Sequence, residues 1–317
     1  MDALHKEVNT RDISNFRQAE PAAEVHPPRE EDRHRTWKIL AAGGLAGAVS
    51  RTATAPVDRL KMLMMIQDSA EVKSLRWGVA RMAAEGSIRS YFKGNGTNVV
   101  KIVPETAIKL TGSDLLKPYM VQNLDDIQPG ERFMCGALAG AAAQFTIYPM
   151  ELIRTRLAIC ETGKYKGIID AAGQILRQEG WRAFYRGMTP AMIGILPYAG
   201  VDIATFEIMM EDLNERYEGD VPAPLILATG MCSSTCAQLV SFPLALVRTR
   251  LQAQGIGGTT RKYSGMADVV RKTLAKEGIR GFYKGLLPNM IKVAPAAGIS
   301  WFVFDKTKRL LGLNGRY

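Results

Sequence analysis

Charged residues recur at fixed offsets from three prolines. Pro56 opens PVDRLKML, Pro149 opens PMELIRTR and Pro243 opens PLALVRTR. An acid stands two residues after the first two prolines, Asp58 and Glu151, and a base stands five residues after all three, Lys61, Arg154 and Arg248. At the third proline the acid is replaced by Ala245. Side chains of these types offer reversible ion pairing and attraction for an anion, although solvated charges at a helix end would have the same composition. Covalent chemistry is poorly supplied. All three histidines, His5, His26 and His34, fall in the first 35 residues, no GxxxxGK[ST] phosphate loop is present, and no nucleophile and base stand at a recognisable spacing.

The elements that must position these charges are repeated with them. A second motif follows each proline motif: EGSIRSYFKG at 85–94, EGWRAFYRG at 179–187 and EGIRGFYKG at 277–285. A third comes later still: KIVPETAIK from Lys101, GILPYAGVD from Gly194 and KVAPAAGIS from Lys292. Three motif types in one order, three times, define a tandem repeat over residues 35–124, 129–218 and 221–317, after a polar tail at 1–34. Each repeat opens with an apolar run of small residues, ILAAGGLAGAVS, CGALAGAAAQF or GMCSSTCAQLV. Small residues four apart allow close helix packing in membranes; a tightly packed soluble helix is the alternative for any one copy. A helix from Trp37 to Ile66 would span about 46 Å at 1.5 Å per residue, more than a hydrocarbon core requires. Its charges are tolerable where they face a water-filled interior. Each proline should kink its helix just before the charges. A second apolar segment ends each repeat, at 95–120, 188–212 and 285–311, with a short helix such as DAAGQILRQEG between. The expectation is an all-α membrane protein of six transmembrane helices, with both termini on one side.

Bulk properties agree only in part. The chain has 317 residues, a net charge of +10 and a pI near 9.5, which favours an anionic partner. A mean hydropathy of -0.05 would not by itself suggest a membrane. A nucleic-acid surface would gather its bases on one face with aromatics, whereas here they follow a threefold register among glycine-rich apolar helices, so no nucleic-acid partner is expected. The four cysteines, Cys135, Cys160, Cys232 and Cys236, lack disulfide or zinc spacing, and no metal site is expected. Cys232 and Cys236, one turn apart, read as small buried residues. The tail carries no apolar core for a signal peptide and too many acids for an ordinary mitochondrial presequence, so any organelle address is internal.

These motifs resemble the mitochondrial carrier family, whose signature is Pro-x-acid-x-x-base-x-base at the end of each odd helix. The resemblance covers nearly everything after residue 35. It implies a pseudo-threefold six-helix barrel in the inner mitochondrial membrane, a central solute site open alternately to either side, and termini facing the intermembrane space. It also implies a transporter rather than an enzyme, acting as a monomer. GGLAGAVSRTATAPVDRLK, GNGTNVVKIVPETAIK, IYPMELIRTRLA, PYAGVD and SFPLALVRTRLQAQ are similar to the ATP-Mg/phosphate carriers, which exchange adenine nucleotides for phosphate or other nucleotides. No D-x-[DN]-x-[DN]-G calcium loop is present, so a short, calcium-independent form is expected, with no cofactor beyond magnesium carried on the nucleotide. A coenzyme A or other nucleotide carrier is the alternative.

What the resemblance implies for single residues follows its motifs. A matrix gate would pair Asp58 with Arg154 and Glu151 with Arg248, leaving Lys61 without a partner opposite Ala245. Gln252 would brace it from beneath, a position held by Met65 and Ala158 in the other repeats. A cytoplasmic gate would draw on SDLLK at 113–117, FEIMM at 206–210 and FDKTK at 304–308. Lys117 would pair with Glu207 and Lys308 with Asp114, leaving Asp305 unpaired. Thirteen residues before those acids lie Lys101, Gly194 and Lys292, facing one another across the cavity. The Gly194-Ile195 pair, with Tyr198, would accept an adenine ring; Lys101, Lys292 and Arg51 would accept phosphates, and Glu105 or Asp202 would favour a magnesium complex. Snorkelling lysines at helix ends are the alternative for Lys101 and Lys292. Cardiolipin would bind at the helix starts marked by Gly94, Gly187 and Gly285, completed by Gly167 and Gly265.

Overall fold

The computed structural model describes residues 30–67, 74–120, 129–161, 163–256 and 261–312, and their side chains except at 30–37, 110, 113, 114, 117, 118, 120 and 129–133. Within these residues the chain is helical, without a strand. Repeat one holds α1 (Glu30–Ala53), α2 (Ala55–Met65), α3 (Leu75–Ala84), α4 (Asn95–Val100) and α5 (Ile102–Met120). Repeat two holds α6 (Pro129–Ile159), α7 (Ile168–Glu179) and α8 (Met188–Arg216); repeat three holds α9 (Ala223–Ala253), α10 (Met266–Glu277) and α11 (Leu286–Leu310). One-turn 3-10 segments, Ile88–Phe92, Trp181–Tyr185 and Ile279–Tyr283, carry the second motif.

The long helices close a ring: α5 packs on α6, α8 on α9, and α11 returns to α1 and α2. The proline-bearing α2, α6 and α9 touch one another pairwise, which brings the three charged motifs together. Each surface helix packs on the proline-bearing helix of its own repeat. Met82 meets Leu60, Leu63 and Met64; Ala171 and Ile175 meet Leu152 and Ile153; Val269 meets Val247 and Leu251.

Four details go beyond the motif reading. The tail was expected to run to residue 34, but α1 already begins at Glu30; residues 1–29 lie outside the described ones. The prolines do not act alike: α6 and α9 continue through Pro149 and Pro243, whereas α1 and α2 are separated by a single turn residue, Thr54. There the ladder is kept, because the Thr54 amide and hydroxyl both donate to the Ser50 carbonyl, at 3.0 and 2.9 Å. A second break, at Lys101, falls three residues before Pro104; a proline ring crowds the carbonyl four residues back. The cysteines differ too, since Cys232 is exposed and Cys236 half-buried.

Length and composition alone pick out only three membrane-spanning candidates among the described residues, ending in α8, α9 and α11. The other three spans are interrupted, as in repeat one, or rich in glycine and alanine around Gln144, as in α6. Their outer faces are nevertheless apolar. Leu45 on α1, Val103 and Leu115 on α5 and Phe145 on α6 are each at least half exposed, an arrangement suited to lipid rather than water.

A set of ion pairs that the motif reading did not anticipate locks the proline ends. Arg156 pairs with Glu179 and donates from Nε to the Gln252 carbonyl at 3.1 Å. Arg250 pairs with Glu277 at 2.7 Å and donates to the Met65 carbonyl at 3.1 Å. Both arginines stand seven residues after their proline, where repeat one has Leu63. Arg59, one turn earlier on the same face, substitutes: it pairs with Glu85 and donates to the Ala158 carbonyl at 2.8 Å. Each arginine thus ties its own repeat to the next, and all three are at most 3 % exposed.

Candidate functional site

Both expected cross-helix pairs at the proline ends are present. Arg154 on α6 reaches Asp58 on α2 at 3.1 Å, and Arg248 on α9 reaches Glu151 on α6. Their side chains are between 11 and 27 % exposed, so these are half-buried pairs rather than the solvated ones expected from helix ends. Lys61, opposite Ala245, donates to Asn289 on α11 at 2.8 Å and sits over the Phe242 ring at 5.5 Å. Gln252 lies beneath, accepting from Thr155 at 2.8 Å and donating to the Tyr148 hydroxyl at 3.0 Å. Tyr148 in turn stacks under the Arg248 guanidinium at 5.4 Å.

The two lysines singled out for phosphate are joined to this network. Lys101 Nζ lies 2.8 Å from Glu151 Oε1, and Lys292 Nζ lies 2.7 Å from Asp58 Oδ1. Lys101 is buried, so it does not snorkel at a helix end. Asp58 and Glu151 therefore each hold one base of a proline motif and one of these lysines, and Glu151 also accepts from Gln144 Nε2 at 2.5 Å. That sharing links helices about fifty residues and more apart, and no spacing rule exposes it. Arg51 donates to Asn98, at 3.0 Å to its carbonyl and 3.3 Å to its side chain. Among the described residues, Arg51, Lys61, Lys101, Arg154, Arg248 and Lys292 gather around three acids, Asp58, Glu105 and Glu151, an excess of positive charge.

The residues expected to accept adenine lie where α8 packs on α9. Gly194, half-buried on α8, lies against α9; a Cβ there would stand 3.6 Å from that of Leu244, the neighbour of Ala245. Ile195 is half-buried beside it, and Tyr198, one turn on, is half-buried as well. The two acids considered for magnesium are already engaged. Glu105 takes Lys109 at 2.8 Å and Lys101 at 3.5 Å, and Asp202 accepts from Ser233 at 2.8 Å and Ser234 at 3.3 Å.

At the opposite end, the side chains of Asp114 and Lys117 lie outside the described ones. Glu207 is exposed, and Lys308 sits over the Phe304 ring at 5.6 Å. Asp305 was expected to stand unpaired; it takes Arg309 at 2.9 Å, one turn further along its own helix. Residue 309 lies outside the five-residue motif, so a reading confined to the motif could not supply this partner.

Gly94, Gly187 and Gly285 have a shared structural reason. All three adopt positive φ, 79, 81 and 88°, at the starts of α4, α8 and α11. A Cβ would stand 2.7, 3.0 and 2.9 Å from the carbonyl oxygens of Arg154, Arg248 and Lys61 respectively. Each glycine thus lets one repeat approach the proline-motif base of the next. Two of these glycines share a cavity with a second glycine. Gly94 and Gly167 line one cavity of about 230 Å³, and Gly187 and Gly265 line another of about 980 Å³ with Arg186, Lys262 and Lys272.

Comparison with known proteins agrees with this threefold site. A family model described as mitochondrial carrier protein matches three times in tandem, at residues 32–124, 125–217 and 220–315. The mitochondrial adenyl nucleotide antiporter SLC25A24 of Bos taurus is 46% identical over 289 residues, 90% of this chain and 60% of that protein. Its namesake from Danio rerio is 47% identical over 282 residues, 88% of this chain and 59% of that protein. The calcium-binding mitochondrial carrier protein SCaMC-2-A of Danio rerio is 46% identical over 284 residues, 88% of this chain and 60% of that protein. The chain spans about three fifths of the length of these relatives. With three matched repeats and three gate motifs converging in one ring, the chain belongs to the mitochondrial carrier family.

Proposed function

We propose that this chain exchanges adenine nucleotides, ATP-Mg and ADP, for nucleotide or phosphate across the inner mitochondrial membrane by alternating access, without a requirement for calcium. The carrying observation is the excess of cations around Asp58 and Glu151, with Lys101 and Lys292 held by the gate acids themselves. A phosphate chain entering the cavity offers those ammonium groups a better-matched anion and competes for them with the gate. The names of the relatives, adenyl nucleotide antiporters, support adenine over other bases. Gly194 packs against Leu244 of α9, so an adenine ring would lie beside Ile195 and Tyr198 rather than in the space of a missing side chain. Since Asp202 and Glu105 are engaged, magnesium would travel on the nucleotide phosphates rather than on a protein carboxylate.

In this reading the proline ends face the matrix, the termini face the intermembrane space, and the carrier works as a monomer. The two glycine-lined cavities would each take an anionic lipid, cardiolipin being the expected one; the bases beside Gly187 and Gly265 favour that charge. The test is uptake of labelled ATP by liposomes containing purified carrier, against internal ATP, ADP, phosphate or coenzyme A, with and without magnesium and calcium. Magnesium-stimulated exchange indifferent to calcium is expected. Exchange of coenzyme A alone would move the substrate to the alternative, and a calcium requirement would remove that clause.

A further inference from the structure

The gate has three repeats but only two carboxylates, and the third position is filled by an amide from another helix. We propose that Asn289 is the third gate link, tying Lys61 to α9 in place of the acid that Ala245 lacks. Three observations carry this. First, Lys61 Nζ donates to Asn289 Oδ1 at 2.8 Å, and Asn289 Nδ2 donates to Gln238 Oε1 on α9. An ammonium can only donate, so the asparagine oxygen must face Lys61 and its amino group must face Gln238. The chain Lys61–Asn289–Gln238 therefore has one hydrogen-bond direction and joins α2 to α9, the two helices that an acid at position 245 would have joined.

Second, Asn289 is 5 % exposed, so its two polar ends need these partners. Third, the repeat supplies an internal control. Asn98, six residues before Pro104 as Asn289 is before Pro295, faces the same kind of interface in repeat one. There the carboxylate is present, and the gate base Arg154 goes to Asp58 while Asn98 takes Arg51. Holding the polar residue of its own repeat, Arg51 or Gln238, is common to both asparagines; accepting the gate base of the next repeat is seen only where the acid is missing. A neutral acceptor holds a cation less tightly than a carboxylate does, so this sector would be the first of the three to part.

The proposal concerns the gate and holds whichever solute crosses, so its primary readout needs no substrate: thermal unfolding midpoints of the purified full chain in lipid–detergent. The set is wild type, Asn289→Ala, Lys61→Met, Ala245→Asp and the two double variants with Asn289→Ala. Asn289→Ala should lower the midpoint by about 2–4 °C. It should lower it by less than half as much once Lys61 is methionine, where only the bond to Gln238 remains to be lost, and likewise once position 245 carries an acid. A purely structural amide would lose the same amount in all three backgrounds, and that additive result overturns the proposal. If Asn289→Ala yields no folded carrier, Asn289→Asp keeps the size and gives Lys61 a carboxylate. It should then raise the midpoint and slow exchange, and a lowered midpoint or faster exchange would overturn the proposal.

Discussion

Glu151 is the most heavily engaged acid in the ring: Arg248, Lys101 and Gln144 all reach it. Replacing it with glutamine keeps the shape but removes the charge that both cations need. We expect Glu151→Gln to destabilise the carrier by about 1–3 kcal/mol, read as a lower thermal midpoint, since half-buried charged hydrogen bonds are lost but the cavity admits water. The loss should shrink when a phosphate-bearing solute is present, because the solute then satisfies Lys101. An equal loss with and without solute would argue against a lysine shared between gate and site. Much at this scale was legible. Asp58, Glu151, Arg154 and Arg248 are found by register alone, because three copies let each residue be compared with its counterparts. The sharing of Glu151 with Lys101, and of Asp58 with Lys292, was not legible; it depends on how far two lysine stems reach across helices that no local pattern relates.

Among the elements, the short buried arginine set shows how a repeat can keep a contact while moving the residue that makes it. Arg59 stands at an offset where the other repeats have Leu152 and Leu246, and Leu63 stands where they have arginines. Arg59→Leu should cost about 3–5 kcal/mol, since the largely buried Glu85 would lose the charge of its guanidinium partner. Adding Leu63→Arg to that variant should recover part of the loss, as the side chain would return to the position used by Arg156 and Arg250. No recovery would mean that the two offsets are not equivalent. Gly187→Ala tests the close approach separately. With a positive φ and a Cβ 3.0 Å from the Arg248 carbonyl, it should cost a further few kcal/mol, measured as loss of folded yield. The motif glycines were legible as special positions, but their packing against the next gate base needed coordinates. The uneven effect of the three prolines needed them as well: only in repeat one does the helix stop, at a threonine whose hydroxyl caps the gap.

For the whole molecule, the ring places apolar side chains outward and charge inward, the reverse of a water-soluble protein. Mean hydropathy conceals this, because the cavity charges and surface helices offset the lipid-facing residues. A variant retaining Trp301 as its sole tryptophan should be quenched strongly by lipids brominated in the acyl chain, as that residue is 63 % exposed on α11. A variant retaining only Trp77, on the surface helix α3, should be quenched less. Equal quenching would contradict the orientation of the ring in the bilayer. The central claim is that Lys101 and Lys292 serve the nucleotide phosphates as well as the gate. Its most direct test is the initial rate of labelled ATP exchange in liposomes by wild type and by Lys101→Gln/Lys292→Gln, at matched folded content. The account predicts exchange by wild type and a loss of about a hundredfold or more in the double variant, the equivalent of two charge-assisted contacts. Full exchange by the double variant would contradict it.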